Sequence, residues 1–135
     1  MKLPRVVANQ LPVVFWAVSI FVLSGIQGFP VSRTPFGFDK IAHFVMFFVF
    51  CGLGWRALFH QSASERLRRY ALLGAFILAV AYGALDELHQ VFVPGRSPDL
   101  YDLVADALGA AAYVAWHRVR AKHNLAGRGS PERQV

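Results

Sequence analysis

From Tyr82 to Gly109 the chain reads YGALDELHQVFVPGRSPDLYDLVADALG, which sets five carboxylates, a histidine, a glutamine and an arginine inside a protein that is 56% hydrophobic and 16% charged. Helical periodicity groups them. Asp86, Glu87 and Gln90 follow Gly83 at steps of three and four, and Asp99, Asp102 and Asp106 repeat the pattern further on. A third cluster lies upstream: Asp39 and His43 are four apart with Lys40 between them, so a helix presents an acid, an ammonium and an imidazole together. Pro94-Gly95-Arg96 reads as a tight turn that carries its guanidinium over the same region.

These residue types suit acid/base or nucleophilic attack on a phosphorylated, membrane-bound substrate. Lys40 and Arg96 match a phosphate or carboxylate, the guanidinium bidentately. His43 can move a proton near neutral pH, with a carboxylate such as Asp39 or Asp86 to orient it, and Glu87 can serve as general acid or base. The expected catalytic set is therefore His43, Asp86 and Glu87, and the expected binding set is Asp39, Lys40, Gln90, Arg96, Asp102 and Asp106. A second reading needs no chemistry: Lys40 and Arg96 pair with Asp39, Asp86 or Asp102 to tie helices together, while Asp39, Asp99 and Asp102 complement helix dipoles. No metal site or cofactor is expected, because no ligand spacing is as specific as HExxH and Lys40 and Arg96 repel an ion. Cys51 is the only cysteine, so no intrachain disulfide forms. His89 is expected at an interface, and His60, His117 and His123 at the surface.

The elements that carry these groups are long apolar runs. Leu11 to Phe29 is nineteen residues without a charge, against the roughly 20 that cross about 30 Å of hydrocarbon as a helix. Ile41 to Trp55 is apolar apart from His43, and Tyr70 to Leu85 carries no charge. Leu100 to Trp116 is a weaker run, with Asp102 and Asp106 in its first half. The expectation is an all-α, integral membrane four-helix bundle spanning residues 1–123, followed by a disordered basic tail from Asn124 to Val135. Phe29 to Phe38 reads as a Pro/Gly loop and His60 to Arg69 as a polar connector. A cleaved signal peptide ending near Ser24-Gly25 is the alternative for the first run, whose length favours retention.

Positive charge sets the orientation. With the N-terminus inside, eleven Lys and Arg fall in the inner segments, and only Arg33, Lys40 and Arg96 fall in the outer ones. Both termini are thus expected in the cytoplasm. Six of the eight acids then lie at the outer boundary, which topology rules do not require and which points to an outward-facing site. The net charge of +6 is accounted for by the basic anchors beside anionic lipid, and nucleic-acid binding is excluded because no motif or soluble basic face supports it. Ala105 and Gly109, with Gly74 and Gly83, predict close helix packing. Phe36, Phe38, Phe44, Phe47, Tyr82, Phe92 and Tyr101 read as an interfacial aromatic belt. A homo-oligomer stays open.

The ordered set Asp39-Lys40-Ile41-Ala42-His43-Phe44, Tyr82-Gly83, Asp86-Glu87-Leu88-His89-Gln90, Pro94-Gly95-Arg96 and Asp102 followed by Gly109 resembles the VanZ-like family of small bacterial membrane proteins. The resemblance implies a multi-pass protein of the bacterial cytoplasmic (inner) membrane. It also implies a part in the cell envelope with a membrane lipid or lipid-linked precursor as partner, since the family's named member is associated with low-level antibiotic resistance to the glycopeptide teicoplanin. One position departs from the family pattern, in which the Asp after the Arg turn is usually followed four residues later by Asn. Here that residue is Asp106, which keeps hydrogen-bond acceptance and loses the amide donor.

Overall fold

The computed structural model describes residues 5–26 and 37–128, without the side chains of 5, 6 and 128. Its elements are α1 (Arg5–Gly25), α2 (Phe38–His60), α3 (Glu65–Arg69), α4 (Ala71–Gln90) and α5 (Leu100–Arg128), with no strand among the described residues. Most of the expected Pro/Gly loop, residues 29–36, lies outside them, as do residues 129–135 of the expected tail. Upstream of these, α5 continues through Asn124 to Arg128.

The helices outrun the charge-free segments because their terminal turns tolerate polar residues. α2 takes in Asp39, Lys40, Arg56 and His60, and α4 continues through Asp86, Glu87, His89 and Gln90. The connector folds into the short α3, whose Ser64 hydroxyl accepts the Leu67 N–H at 3.3 Å as an N-cap. Pro94 and Gly95 form a turn closed by the Arg96 N–H donating to the Val93 carbonyl at 3.1 Å. Gly95 has φ +80°, the left-handed value a type II turn asks of its third residue.

Side-chain ties fix the helix directions. Trp16 Nε1 donates to the Met46 carbonyl at 3.0 Å and Arg56 Nε to Asn9 Oδ1 at 2.8 Å, so α1 runs antiparallel to α2. Lys40 meets Asp102 near the start of both helices, and Trp55 meets His117 further along (ring centroids 4.4 Å), so α5 runs parallel to α2. Phe50 beside Tyr82 and Gly54 beside Ala75 set α4 antiparallel to α2. The four long helices therefore alternate in direction, and α2 packs against the other three. The end of α1, the start of α2, the end of α4 and the start of α5 share one end of the molecule.

Among the described residues, three helices are long and apolar enough to cross a membrane: α1 over Val7–Gly25, α2, and α4. α5 is not among them, because Asp102 and Asp106 in its first half and Arg118, Arg120 and Lys122 in its second dilute its apolar character. Large apolar side chains face outward, Phe15 (71% exposed), Leu73 (57%) and Leu108 (57%) among them. So extensive an exposed apolar surface is rare on a soluble monomer and fits contact with lipid.

Small residues draw the helices together. Ala71, Ala75, Ala79 and Gly83 recur every four residues on the buried face of α4, and Glu87 is next on that stripe. Against them lie Phe47, Phe50, Cys51, Ala110 and Tyr113. Phe47 and Tyr82, expected in the aromatic belt, instead belong to this core. Phe47 is 0% exposed, and the Tyr82 hydroxyl reaches across to the Ala17 carbonyl at 2.7 Å. Phe38, Phe92 and Tyr101 are exposed as the belt requires, and Phe36 lies outside the described residues.

The closest approach is at Gly109 of α5, where a Cβ would overlap the Phe44 carbonyl of α2. A backbone carbonyl cannot rotate out of the way, so the two helices would have to part. Gly109→Ala is expected to destabilise by about 1–3 kcal/mol, the usual range for overpacking. Gly127→Ala, whose Cβ would meet nothing within 4 Å, should leave stability level or slightly raised. Thermal unfolding of both variants in detergent measures the difference.

Candidate functional site

At the shared end of the long helices, six polar side chains are buried among the described residues: Ser24, Asp86, Glu87, Gln90, Asp102 and Asp106. A cleft of about 360 Å³ opens among them, lined by Ser24, Asp39, His43, Asp86, Gln90 and Arg96, with Asp99 and Asp102 at its side. A larger hollow of about 790 Å³ at the opposite end, beside Arg66, Arg68 and Arg69, contains no buried acid.

Lys40 organises the α2–α5 side of the cleft. Its Nζ donates to Asp99 Oδ2 at 2.7 Å, Asp102 Oδ1 at 2.8 Å and Asp39 Oδ2 at 3.1 Å, which engages all three ammonium protons. Asp99 holds two further positions: its Oδ1 caps α5 by accepting the Tyr101 N–H at 2.8 Å, and its own N–H donates to Glu87 Oε2 at 2.7 Å. The Lys40 hydrogen bond, then the Tyr101 N–H, keep the Asp99 carboxyl below the usual carboxylate range.

His43 is held from the protein side. Its Nδ1 lies 2.9 Å from Asp106 Oδ1, and with Asp106 ionised, so that its oxygen only accepts, the hydrogen of this contact is on Nδ1. Nε2 is left facing Asp102 Oδ2 at 3.8 Å. Sequence reasoning offered Asp39 or Asp86 as the orienting carboxylate, but the structure gives Asp106. Asp39 is turned to Lys40, and Asp86 Oδ1 accepts the Ser24 hydroxyl at 2.6 Å. Asp106 reaches His43 because Gly83 opposite it has no side chain: a Cβ there would lie 2.6 Å from Asp106 Oδ2.

Gln90 Nε2 approaches Glu87 Oε1 at 3.4 Å from the next turn of α4. Arg96 stands at the rim, where its Nη2 donates to the Ile26 carbonyl at 3.2 Å. It pairs with no carboxylate among the described residues, and its buried Nε has no partner there. His89, expected at an interface, stacks on Phe21 of α1 at 4.1 Å. Ser24 was read only as part of a cleavage-like segment, although a hydroxyl closing an apolar run is itself a signal of a buried polar contact.

The arrangement offers an imidazole anchored at Nδ1 by Asp106, a second carboxylate beside it in Glu87, and at the mouth a guanidinium that pairs with no carboxylate among the described residues. Such a set can accept a proton from, or orient, a group bound in the cleft. The chain is thus an all-helical membrane protein with a polar cleft at one end of its packed helices. The VanZ/LLP1 family model matches residues 3–120, and the chain belongs to that family. No curated protein and no solved structure shows a significant match.

Asp99 generates a test with a defined sign. Because its folded-state pKa is lowered, the stability it contributes is present above the unfolded value of about 3.9 and is lost as pH falls through the lower folded value. Its side chain is 39% exposed, so the ion pair itself is worth no more than about 1 kcal/mol. Asp99→Asn should lower the unfolding temperature modestly at pH 7, and the gap to wild type should narrow below pH ~4. Melting curves across pH measure it.

Proposed function

We propose that this VanZ/LLP1 protein is a multi-pass protein of the bacterial cytoplasmic membrane, a four-helix bundle with both termini in the cytoplasm. Its outward-facing cleft binds or transforms a phosphate-bearing lipid or cell-envelope precursor. The orientation rests on the distribution of Lys and Arg, and the fourth crossing is made by α5 packed along α2. The family's association with teicoplanin resistance is consistent with an envelope substrate.

The observation that carries the reading is the contrast between two groups of side chains. Lys40, Asp39 and Asp99 satisfy one another, whereas Arg96 Nε and Asp86 Oδ2 border the cleft, buried and without partners among the described residues. A guanidinium so placed is suited to an anionic headgroup, while His43, Asp86 and Glu87 stand ready for proton transfer or nucleophilic assistance. Asp102 and Asp106 hold their partners in place, and Gln90 lines the wall. Lys40 acts through Asp102 and Asp99 and not as an anion ligand, since its protons are engaged.

Loss of a charge-assisted contact at about 1.5–3 kcal/mol corresponds to roughly a tenfold weakening or more. Arg96→Ala in purified protein should therefore weaken binding of a polyprenyl phosphate by at least that factor relative to wild type. Absence of both binding and turnover across a panel of lipid phosphates, with Arg96→Ala indistinguishable from wild type, would refute the proposal.

A second reading has its own support in the satisfied part of the network: the three-carboxylate tie to Lys40 stabilises the fold without any ligand. On that reading the protein is a non-enzymatic scaffold in envelope assembly, and Asp86→Asn and Glu87→Gln act through folding and abundance. Variants that accumulate normally yet lose function would exclude it.

A further inference from the structure

We propose that His43, Glu87 and Asp102 form a binding site for one divalent transition cation of the manganese or zinc type. One ligand atom from each, contributed by α2, α4 and α5, lies within 4.8 Å of the others. An ion with bonds of about 2.1 Å gathers such a set with small side-chain shifts. A search for ligand spacing along the chain cannot find this triad, because each member comes from a different helix.

Each of the three has one atom pinned and another left for the shared space. In neutral His43 with its Nδ1 hydrogen on an ionised Asp106, the lone pair is on Nε2; a carboxylate behind the imidazole is the usual support of a ligating histidine. Asp102 Oδ1 is held by Lys40, while Oδ2 is the oxygen facing His43 Nε2. Glu87 Oε2 is held by the Asp99 N–H, while Oε1 has only the 3.4 Å contact from Gln90. One imidazole with two carboxylates suits manganese or zinc better than the harder calcium or magnesium.

A separate observation points the same way. Asp86 lines the same cleft at 3% exposure, and its Oδ2 has no partner among the described residues. Buried carboxylate oxygens without compensation are costly. Among the described residues, six carboxylates in and around the cleft face two basic side chains, Lys40, whose protons are already engaged, and Arg96, which pairs with none of them. Lys40 does not exclude an ion, because it occupies the other oxygen of Asp102. The inference goes beyond the lipid reading and does not depend on it, although an ion here would offset negative charge that an anionic headgroup otherwise meets.

The test uses tag-free full-length protein in detergent, stripped with a chelator and titrated with manganese or zinc alone, without lipid. One equivalent should bind with micromolar or tighter affinity. Pulsed EPR of the manganese form should show nitrogen coupling from one imidazole, and Glu87→Gln should weaken binding at least tenfold. No saturable binding of either ion below about 100 µM, or bound manganese that lacks nitrogen coupling, would overturn the site. Should Glu87→Gln fail to fold, the nitrogen coupling in wild type decides the matter. Since no lipid is added, failure here is distinct from failure of the lipid reading.

Discussion

Lys40 Nζ donates to Asp39, Asp99 and Asp102, and without it three carboxylates from α2 and from the start of α5 would face one another across a short gap. The remaining geometry of the polar end follows from that tie. Asp99, fixed by the ammonium, caps α5 and presents its N–H to Glu87. Asp102, fixed by the same ammonium, turns its free oxygen toward His43. The tie itself needs α2 and α5 to run parallel at close range, which Gly109 permits by letting the Phe44 backbone approach where any side chain would intrude. Sequence, packing and site are thus linked through a glycine two turns below the cation.

The buried polar groups divide by whether the protein satisfies them. A network meant only to pack helices gains from pairing every member, since each unpaired buried group reduces stability. Here the pairing is complete around Lys40 and, among the described residues, incomplete at Asp86 in the cleft, at Asp106 behind His43 and at Arg96 on the rim. Unsatisfied groups of opposite sign are found in the same small region, and this asymmetry favours a ligand over a purely structural role. The apolar outer surface supplies the setting, because an anionic headgroup carried by a membrane lipid would arrive at the edge where the cleft lies.

Much of this was legible in the sequence. Charge-free runs marked the long helices, because only residues facing lipid or one another tolerate such length without polarity. Steps of three and four brought Asp39, Lys40, His43, Glu87, Asp102 and Asp106 onto facing surfaces. The helix ends were less legible by hydropathy alone, since the charge-free run stops at Leu85 and only the steps of three and four carry the helix on through Asp86 and Glu87 to Gln90, where α4 ends. Pair assignments were least legible: i,i+4 spacing suggested Asp39 for His43, whereas Asp106, 63 residues away, takes that place. Ser24 and the core positions of Phe47 and Tyr82 depend on which helix faces which, and periodicity within one segment does not carry that information.

The central claim is that the cleft is a ligand site and not only a knot of ion pairs. Native mass spectrometry of the protein released gently from its membrane, compared with a Lys40/Arg96 double variant of matched folded yield, tests it most directly. The account predicts that wild type carries an additional mass corresponding to a phosphate-bearing lipid, and that the double variant carries little or none. Bare wild-type protein, or the same lipid occupancy in both proteins, would contradict it.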